Sequence, residues 1–294
     1  MTDQDWLAER FEANRAHLRR VAFRMLGSLT EADDAVQEAW IRLSRTDTSD
    51  VDNLRAWLTT VVGRVSLNML RSRRTHREAS LDTHVPDLIV SPSDQLDPEQ
   101  EALLGDSIGL AMLVVLDSLA PAERVAFVLH DVFAVPFDTI APIVGRTPAA
   151  ARQLASRARR RVQGAPVPDA DLDDQWAVAE AFLAATRDGD FERLLAVLDP
   201  DVVVRSDGGT ARPSLVSLVR GAQAVAEQAM SFRRFADSST RVLVNGVPGG
   251  VAWSPDGSPF AVVALTVRKG RIVQIDVLAD PDRLRRLDLA FVAG

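Results

Sequence analysis

The chain has 294 residues, 26% of them charged, with a formal net charge of −7 and no cysteine. That length carries two or three ordinary domains, and the missing thiols exclude disulfides and thiolate metal sites. No apolar run approaches the roughly 20 residues of a membrane helix, and the opening Met1-Thr2-Asp3-Gln4-Asp5-Trp6 is acidic where a signal peptide is basic, so a soluble cytoplasmic protein with no membrane role is expected.

The acidic average hides a segregated pattern. Stretch 55–77 holds Arg55, Arg64, Arg71, Arg73, Arg74 and Arg77 and no acid, and stretch 146–163 holds Arg146, Arg152, Arg157, Arg159, Arg160 and Arg161 and no acid. Two compact basic segments in an otherwise acidic chain are what a protein touching DNA at two separate places requires, while the acidic remainder limits indiscriminate binding.

In chain order, Trp6, Leu7, Phe11, Leu18, Val21, Phe23, Met25 and Leu26 read as a helix that Gly27-Ser28 ends. Thr30 is expected to cap a second helix over 30–43, with Asp33 in a capping-box-like position. Ala35, Val36, Ala39, Trp40 and Leu43 fall on one side of it, and Asp33, Asp34, Gln37, Glu38 and Arg42 on the other. After a polar loop, a long helix from Leu54 buries Leu54, Trp57, Leu58, Val61, Val62 and Val65. It displays Arg55, Thr59, Thr60, Arg64 and Asn68 and leaves through Arg71, Arg73, Arg74, His76 and Arg77, donors that suit a DNA backbone and an unstacked base.

Stretch 78–100, with Pro86, Pro92 and Pro98 among serines and aspartates, reads as a linker. Helices resume over 103–119 and 123–133. Stretch 138–162 then gives two short helices around a tight turn: Asp138 as cap, Gly145 as stop, Thr147 as the second cap and Pro148 at the first helical position. Pro142 falls in the expected first turn, where its missing N–H costs little. In the second helix Ala151, Leu154, Ala155, Ala158 and Val162 form the buried stripe, leaving Arg152, Gln153, Ser156, Arg157, Arg159 and Arg160 outside. Arginines beside small residues let such a helix sit deep in a major groove.

A second linker covers 164–173, and the character of the chain then changes. Helices are expected over 174–186, 191–198 and 223–235, interrupted by the run Val202-Val203-Val204 and the turn Ser206-Asp207-Gly208-Gly209. Strands are expected over 240–244, 250–253, 260–267 and 271–278. Helices first and then three or four antiparallel strands predict an α+β cone with a hollow apolar interior.

Asp33-Asp34-Ala35-Val36-Gln37-Glu38-Ala39-Trp40, Arg55-Ala56-Trp57-Leu58 and Gly145-Arg146-Thr147-Pro148-Ala149-Ala150-Ala151-Arg152-Gln153 together resemble, in order and spacing, bacterial extracytoplasmic-function sigma factors. The tail resembles the subfamily with a C-terminal SnoaL-like, NTF2-fold domain. Asp207-Gly208-Gly209, with Thr210 where a third glycine is usual, and Asp280-Pro281-Asp282-Arg283-Leu284 match two of its motifs. A third, a Trp-Leu-Pro-Glu-Pro motif, has only the partial counterpart His84-Val85-Pro86-Asp87.

The resemblance implies a multidomain protein: two all-α sigma domains, the second with the helix-turn-helix, followed by an α+β NTF2/SnoaL-like cone. Region 2 would cover 1–77, the linker 78–100, region 4 101–163, a second linker 164–173 and the tail 174–294. It implies core RNA polymerase as partner, through the beta prime clamp and beta flap, with Asp34, Gln37, Glu38 and Arg42 on the clamp. Promoter DNA would be held at the minus 10 element by Arg55, Arg64, Asn68, Arg71, Arg73 and Arg74. The minus 35 element would be read by Arg146, Arg152, Gln153, Ser156, Arg157 and Arg160. The tail would regulate in cis through His84, Pro86, Asp207, Gly208, Gly209, Asp280, Pro281, Asp282, Arg283 and Leu284. No cofactor, metal or catalytic residue is implied.

Two other readings compete. The tail could be an enzyme with a carboxylate base such as Asp207 or Asp276, although the chain has no tyrosine and its histidines, His17, His76, His84 and His130, all precede the tail. A small apolar ligand in the cone is the more economical use of that fold. The chain could also be a one-component DNA-binding regulator with a sensory tail, which leaves the basic 55–77 helix and the polar face of the 30–43 helix without a use.

Overall fold

The helical periodicity and caps of the first half and the strand-rich tail separate into two compact units, 1–79 with 115–165 and 80–114 with 166–294. In the computed structural model the residues described are 3–46, 51, 53–76, 83–93, 110–164, 166, 168–235 and 238–292.

The first unit opens with α1 (Asp3–Leu26), α2 (Leu29–Leu43) and α3 (Leu54–His76). Gly27 takes a left-handed φ of 67° and turns the chain between α1 and α2. Ser28, not Thr30, caps α2, its hydroxyl accepting from the Glu31 N–H at 3.4 Å. Two Ser/Thr positions precede the apolar stripe, and the helix takes the earlier one. Phe11, Leu18, Val21, Leu26, Val36 and Leu58 are all fully buried in this unit. Thr59, read as displayed, is buried, and its hydroxyl donates back to the Arg55 carbonyl.

The first unit resumes within α4 (Leu110–Asp117), whose residues up to Val114 belong to the second unit, and continues into α5 (Pro121–Phe127), α6 (Phe137–Val144) and α7 (Pro148–Val162). The expected 123–133 helix starts earlier, because Pro121 is well placed at a first helical position, and it loosens into a π-helical turn at Val128–Val132. Asp138 does not cap α6. The helix starts at Phe137 after Pro136, so Asp138 lies in the first turn, where its charge suits the helix dipole. Pro142 consequently lies well inside the helix and removes one ladder bond.

The second unit is built on one seven-stranded sheet, in the order β1-β4-β5-β6-β7-β2-β3. Its strands are β1 (Val90–Pro92), β2 (Leu198–Asp207), β3 (Ser217–Arg220), β4 (Ser239–Val244), β5 (Val247–Trp253), β6 (Pro259–Arg268) and β7 (Arg271–Leu278). Three or four antiparallel strands were too few: β2 and β3 join the sheet, with β2 running parallel to β7. The helices are α8 (Leu172–Asp188), α9 (Phe191–Val197), α10 (Ala222–Ser231) and the short α11 (Pro281–Leu284). Asp171 caps α8, so the helix begins before the expected 174.

The two faces of the sheet bury different things. One carries Val204, Leu265 and Ile275 under Trp176 and Phe182 of α8 and Val225 of α10. The other carries Val242, Val251, Val262 and Leu278 under Val85, Leu88, Val90 and Leu110, with Leu284 and Leu289 from the C-terminal end. Stretch 78–100 reads as a plain spacer, yet its described part, 83–93, belongs to the second unit and supplies β1, which pairs antiparallel with β4 from Val90↔Val244 to Pro92↔Val242. Each buried Val or Leu of this segment is worth about 1.5–3 kcal/mol. A strand of three residues that ends on a proline is too short to show a period of two.

Candidate promoter and polymerase interfaces

On α2 the small and apolar Ala32, Ala35, Val36, Ala39 and Leu43 are buried, which turns Asp34 and Gln37 fully outward and leaves Glu38 and Arg42 half-buried. Glu38 and Arg42 are one helical turn apart and paired at 2.9 Å. Asp33 on the same face is held by Arg19 at 2.7 Å.

On α3, Arg64, Asn68 and Arg71 are exposed at positions i, i+4 and i+7, so three donors share one stripe. Two other arginines of the predicted set already have partners within the unit, Arg73 half-buried and Arg55 exposed. The Nε of Arg73 donates to Glu31 at 2.7 Å and its Nη1 to the Leu26 carbonyl at 2.8 Å, so this guanidinium braces α3 against the α1–α2 turn. Arg55 Nη2 donates to His17 Nδ1 at 2.9 Å, and His17 Nε2 lies 3.1 Å from the Thr59 hydroxyl. Burial, with the charges of Arg55 and Arg20, pushes the His17 pKa down to about 4, so the ring is neutral and accepts from Arg55. The side chain of Arg74 lies outside the described residues.

The helix-turn-helix has the expected punctuation. Gly145 is left-handed at φ 68°, and the Thr147 hydroxyl accepts from the Ala150 N–H at 3.3 Å. Ala151, Ala155, Ala158 and Val162 are buried, while Leu154 is only half-buried. Arg146, Arg152, Gln153, Ser156, Arg157 and Arg160 are all exposed. Some of these cations already have local partners: Arg157 is bound to Glu123 at 2.7 Å, Arg152 lies 5.3 Å over the Phe137 ring, and Arg159 reaches Asp131. Glu123, buried under α7, also meets Arg161 at 3.5 Å and orients the C-terminal half of the helix.

Within the first unit α3 packs on α5 and α6. A Cβ added at Gly63 would come within 3.2 Å of Leu129 and 3.7 Å of Ile143, so a residue without a side chain lets the helices approach. His17 stacks edge-on against Phe133 at 5.5 Å, and Arg20 lies 5.7 Å over the same ring. The minus 10 candidate helix and the helix-turn-helix module are therefore packed together. His17 was missed from sequence because nothing near it in the chain marks it.

In the second unit the three motif segments of the tail and linker converge. Asp207 accepts from the Val85 N–H at 3.1 Å and from Arg283 at 2.8 Å, with His84 Nδ1 at 3.3 Å. Arg283 also reaches Asp87 at 3.1 Å. Burial alone would raise the Asp207 pKa, but the bonds from His84 and Val85 and the charge of Arg283 outweigh it and hold the carboxyl at about 2. Gly209, at φ 59°, lets Asp280 close in: an added Cβ would sit 2.1 Å from its carboxylate. Asp280 caps α11 through the N–H groups of Asp282 and Arg283, which aims Arg283 at Asp207. Gly208, Pro281 and Leu284 complete the turn and the short helix, and Pro86 is buried. Val85, through its backbone N–H, and Asp87, through its carboxylate, are members of this cluster absent from the expected regulatory residues.

The concave side of the sheet encloses a cavity of about 340 Å³ lined by Phe182, Val204, Val225, Val263, Leu265 and Ile275, among others. Asp276 is not in it. It lies on the opposite face with Asp207, bonded to Arg205 at 3.0 Å and Gln274 at 2.7 Å, and burial pushes its carboxyl up against the pull of Arg205. Among the described residues there is no cluster of metal-ligating side chains and no helix long and apolar enough to cross a membrane.

A polar helix face, a basic helix beside it and a linked helix-turn-helix are the parts of a sigma factor. Residues 10–76 match the Sigma-70 region 2 family model and residues 110–162 the Sigma-70, region 4 model. The chain is 38% identical to the ECF RNA polymerase sigma factor SigJ of Mycobacterium tuberculosis, over 93% of this chain and 91% of that one. It is 36% identical to the probable ECF RNA polymerase sigma factor SigI of the same species, over 97% of both. The crystal structure of M. tuberculosis SigJ superposes with a TM-score of 0.78 at 36% identity, over 94% of this chain and 97% of that one. The chain belongs to the ECF RNA polymerase sigma factors, with an α+β domain on a seven-stranded sheet after region 4, and directs transcription initiation by binding core polymerase and promoter DNA.

Proposed function

We propose that the tail regulates the sigma factor in cis by holding the linker between regions 2 and 4. The observation that carries this is the clasp in which Arg283 bridges Asp207 and Asp87, beside a linker strand built into the tail's own sheet. Asp34, Gln37, Glu38 and Arg42 meet the beta prime clamp, and region 4 meets the beta flap. Arg64, Asn68 and Arg71 hold the minus 10 element, with Arg55 and Arg74 beside them and Arg73 bracing the helix. Arg146, Arg152, Gln153, Ser156, Arg157 and Arg160 face the minus 35 element. Regions 2 and 4 must part to reach two separate promoter elements, and a linker fastened to the tail opposes that. The protein works in the cytoplasm, where its polymerase is.

The cavity of the tail binds rather than catalyses. Its described polar lining consists of serines, Thr186 and Gln228, none of which titrates near neutral pH, and the two buried carboxylates lie on the other face of the sheet.

Arg283→Ala in the full chain, compared with a chain ending before α8, tests the regulatory reading by promoter-specific transcription with core polymerase. Release of the linker raises transcription and polymerase affinity in both. Activity equal to the intact protein in both variants would sink it.

A further inference from the structure

The cavity has a chemical polarity that narrows its occupant. Its volume of about 340 Å³ is within the range of about 300–1,000 Å³ usual for small-molecule sites. Strand β5 is hollowed where it passes: a Cβ added at Gly250 would meet nothing nearer than the Thr240 carbonyl at 3.5 Å. Along one wall Ser206 of β2 and Ser217 of β3 stand directly opposite each other in the strand pair. Gln228 of α10 donates from Nε2 to the Ser217 hydroxyl at 3.5 Å, and its Oε1 is buried with no partner. A buried amide atom without a partner costs about 1–3 kcal/mol. Reversing the amide exchanges the donor and the acceptor but still leaves one atom unsatisfied.

No lining residue among those described carries a charge. An ionised group drawn into this space would lose its hydration without gaining a counter-charge. A hydroxyl, which both donates and accepts, satisfies the wall in either amide orientation. We infer that the cone holds an uncharged, mostly apolar small molecule whose hydroxyl group meets Gln228, Ser217 and Ser206. This rests on the reading of the cavity as a binding site, and it holds whether or not binding moves the linker.

Isothermal titration of the full chain with naphthol, naphthalene and naphthoate tests it on one ring skeleton. Naphthol binds about three- to tenfold more tightly than naphthalene, the worth of one hydrogen bond, and naphthoate binds more weakly than both. Gln228→Leu equalises naphthol and naphthalene while keeping naphthalene binding. Gly250→Leu, which fills the hollow, removes binding of all three with the circular dichroism spectrum unchanged. No binding of naphthol to the full chain, naphthoate binding as tightly as naphthol, a naphthol preference that survives Gln228→Leu, or naphthol binding intact in Gly250→Leu would each overturn the inference. Transcription keeps the two readings apart: a tail that regulates but does not bind naphthol overturns only this one, and a tail that binds naphthol but leaves transcription unchanged overturns only the regulatory one.

Discussion

Two adjacent glycines in β5 show how finely a single position is set. A Cβ at Gly249 would lie 2.3 Å from the Val263 carbonyl and 2.7 Å from Val244, whereas Gly250 faces the cavity with space to spare. Gly249→Ala should therefore lower stability by about 1–3 kcal/mol, and Gly250→Ala should leave the thermal melt nearly unchanged. His17 gives a pH dependence of definite sign. Its folded pKa of about 4 lies below the ordinary value of 6.5, so the unfolded chain takes up the proton first. The stability it contributes is complete above pH 6.5, falls as pH drops through the window down to about 4, and amounts to about 1 kcal/mol between pH 7 and 5 after allowance for partial exposure. His17→Gln should flatten the melting temperature across that window, and an unchanged slope would show that other groups carry it. The Asp207 clasp behaves differently: with a carboxyl at about 2, it keeps its contribution above pH 4 and loses it only as pH falls from there toward 2.

At the scale of elements, the proposed minus 35 role of α7 would separate readers from anchors. Arg160 is exposed on the last turns, and its replacement by Ala should weaken binding about equally on all promoter sequences and reduce the salt slope by about 1. Gln153→Ala should instead cost about 1–3 kcal/mol at one base pair; binding to a panel of single-base promoter variants distinguishes the two. The helix itself was legible because everything that makes it is local: Thr147, Pro148, Gly145 and alanines at helical spacing. What its arginines do was less so. Arg157 answers to Glu123, 34 residues earlier, and Arg73 to Glu31, 42 residues earlier. A charge count sees six arginines and no acid, but folding brings the acids back from other helices, and part of the basic stripe becomes scaffolding. The cap of α2 and the start of α6 were misplaced by one or two residues for a simpler reason, the presence of neighbouring residues equally able to end a helix.

For the whole molecule, the order of modules could be read from motifs, but the membership of the linker could not. Its hydrophobic contacts, Val85, Leu88 and Val90 against Val242, Val251 and Val262, join positions more than a hundred residues apart. The consequence concerns reach. The stretch between His76 and Leu110, fully extended, could span about 110 Å. With 85–92 fastened to the sheet and Leu110 in the same apolar cluster, the stretch left between α3 and the fastened segment is 77–84, a length of chain that could span at most about 30 Å. On the proposed role of the clasp, closing it would change the effective concentration of the minus 35 reader around a polymerase-bound region 2. On that proposal a three-residue strand and one arginine would select between a long leash and a short one, and transcription from promoters of stepped minus 35 to minus 10 spacing should narrow in the intact chain and broaden in Arg283→Ala.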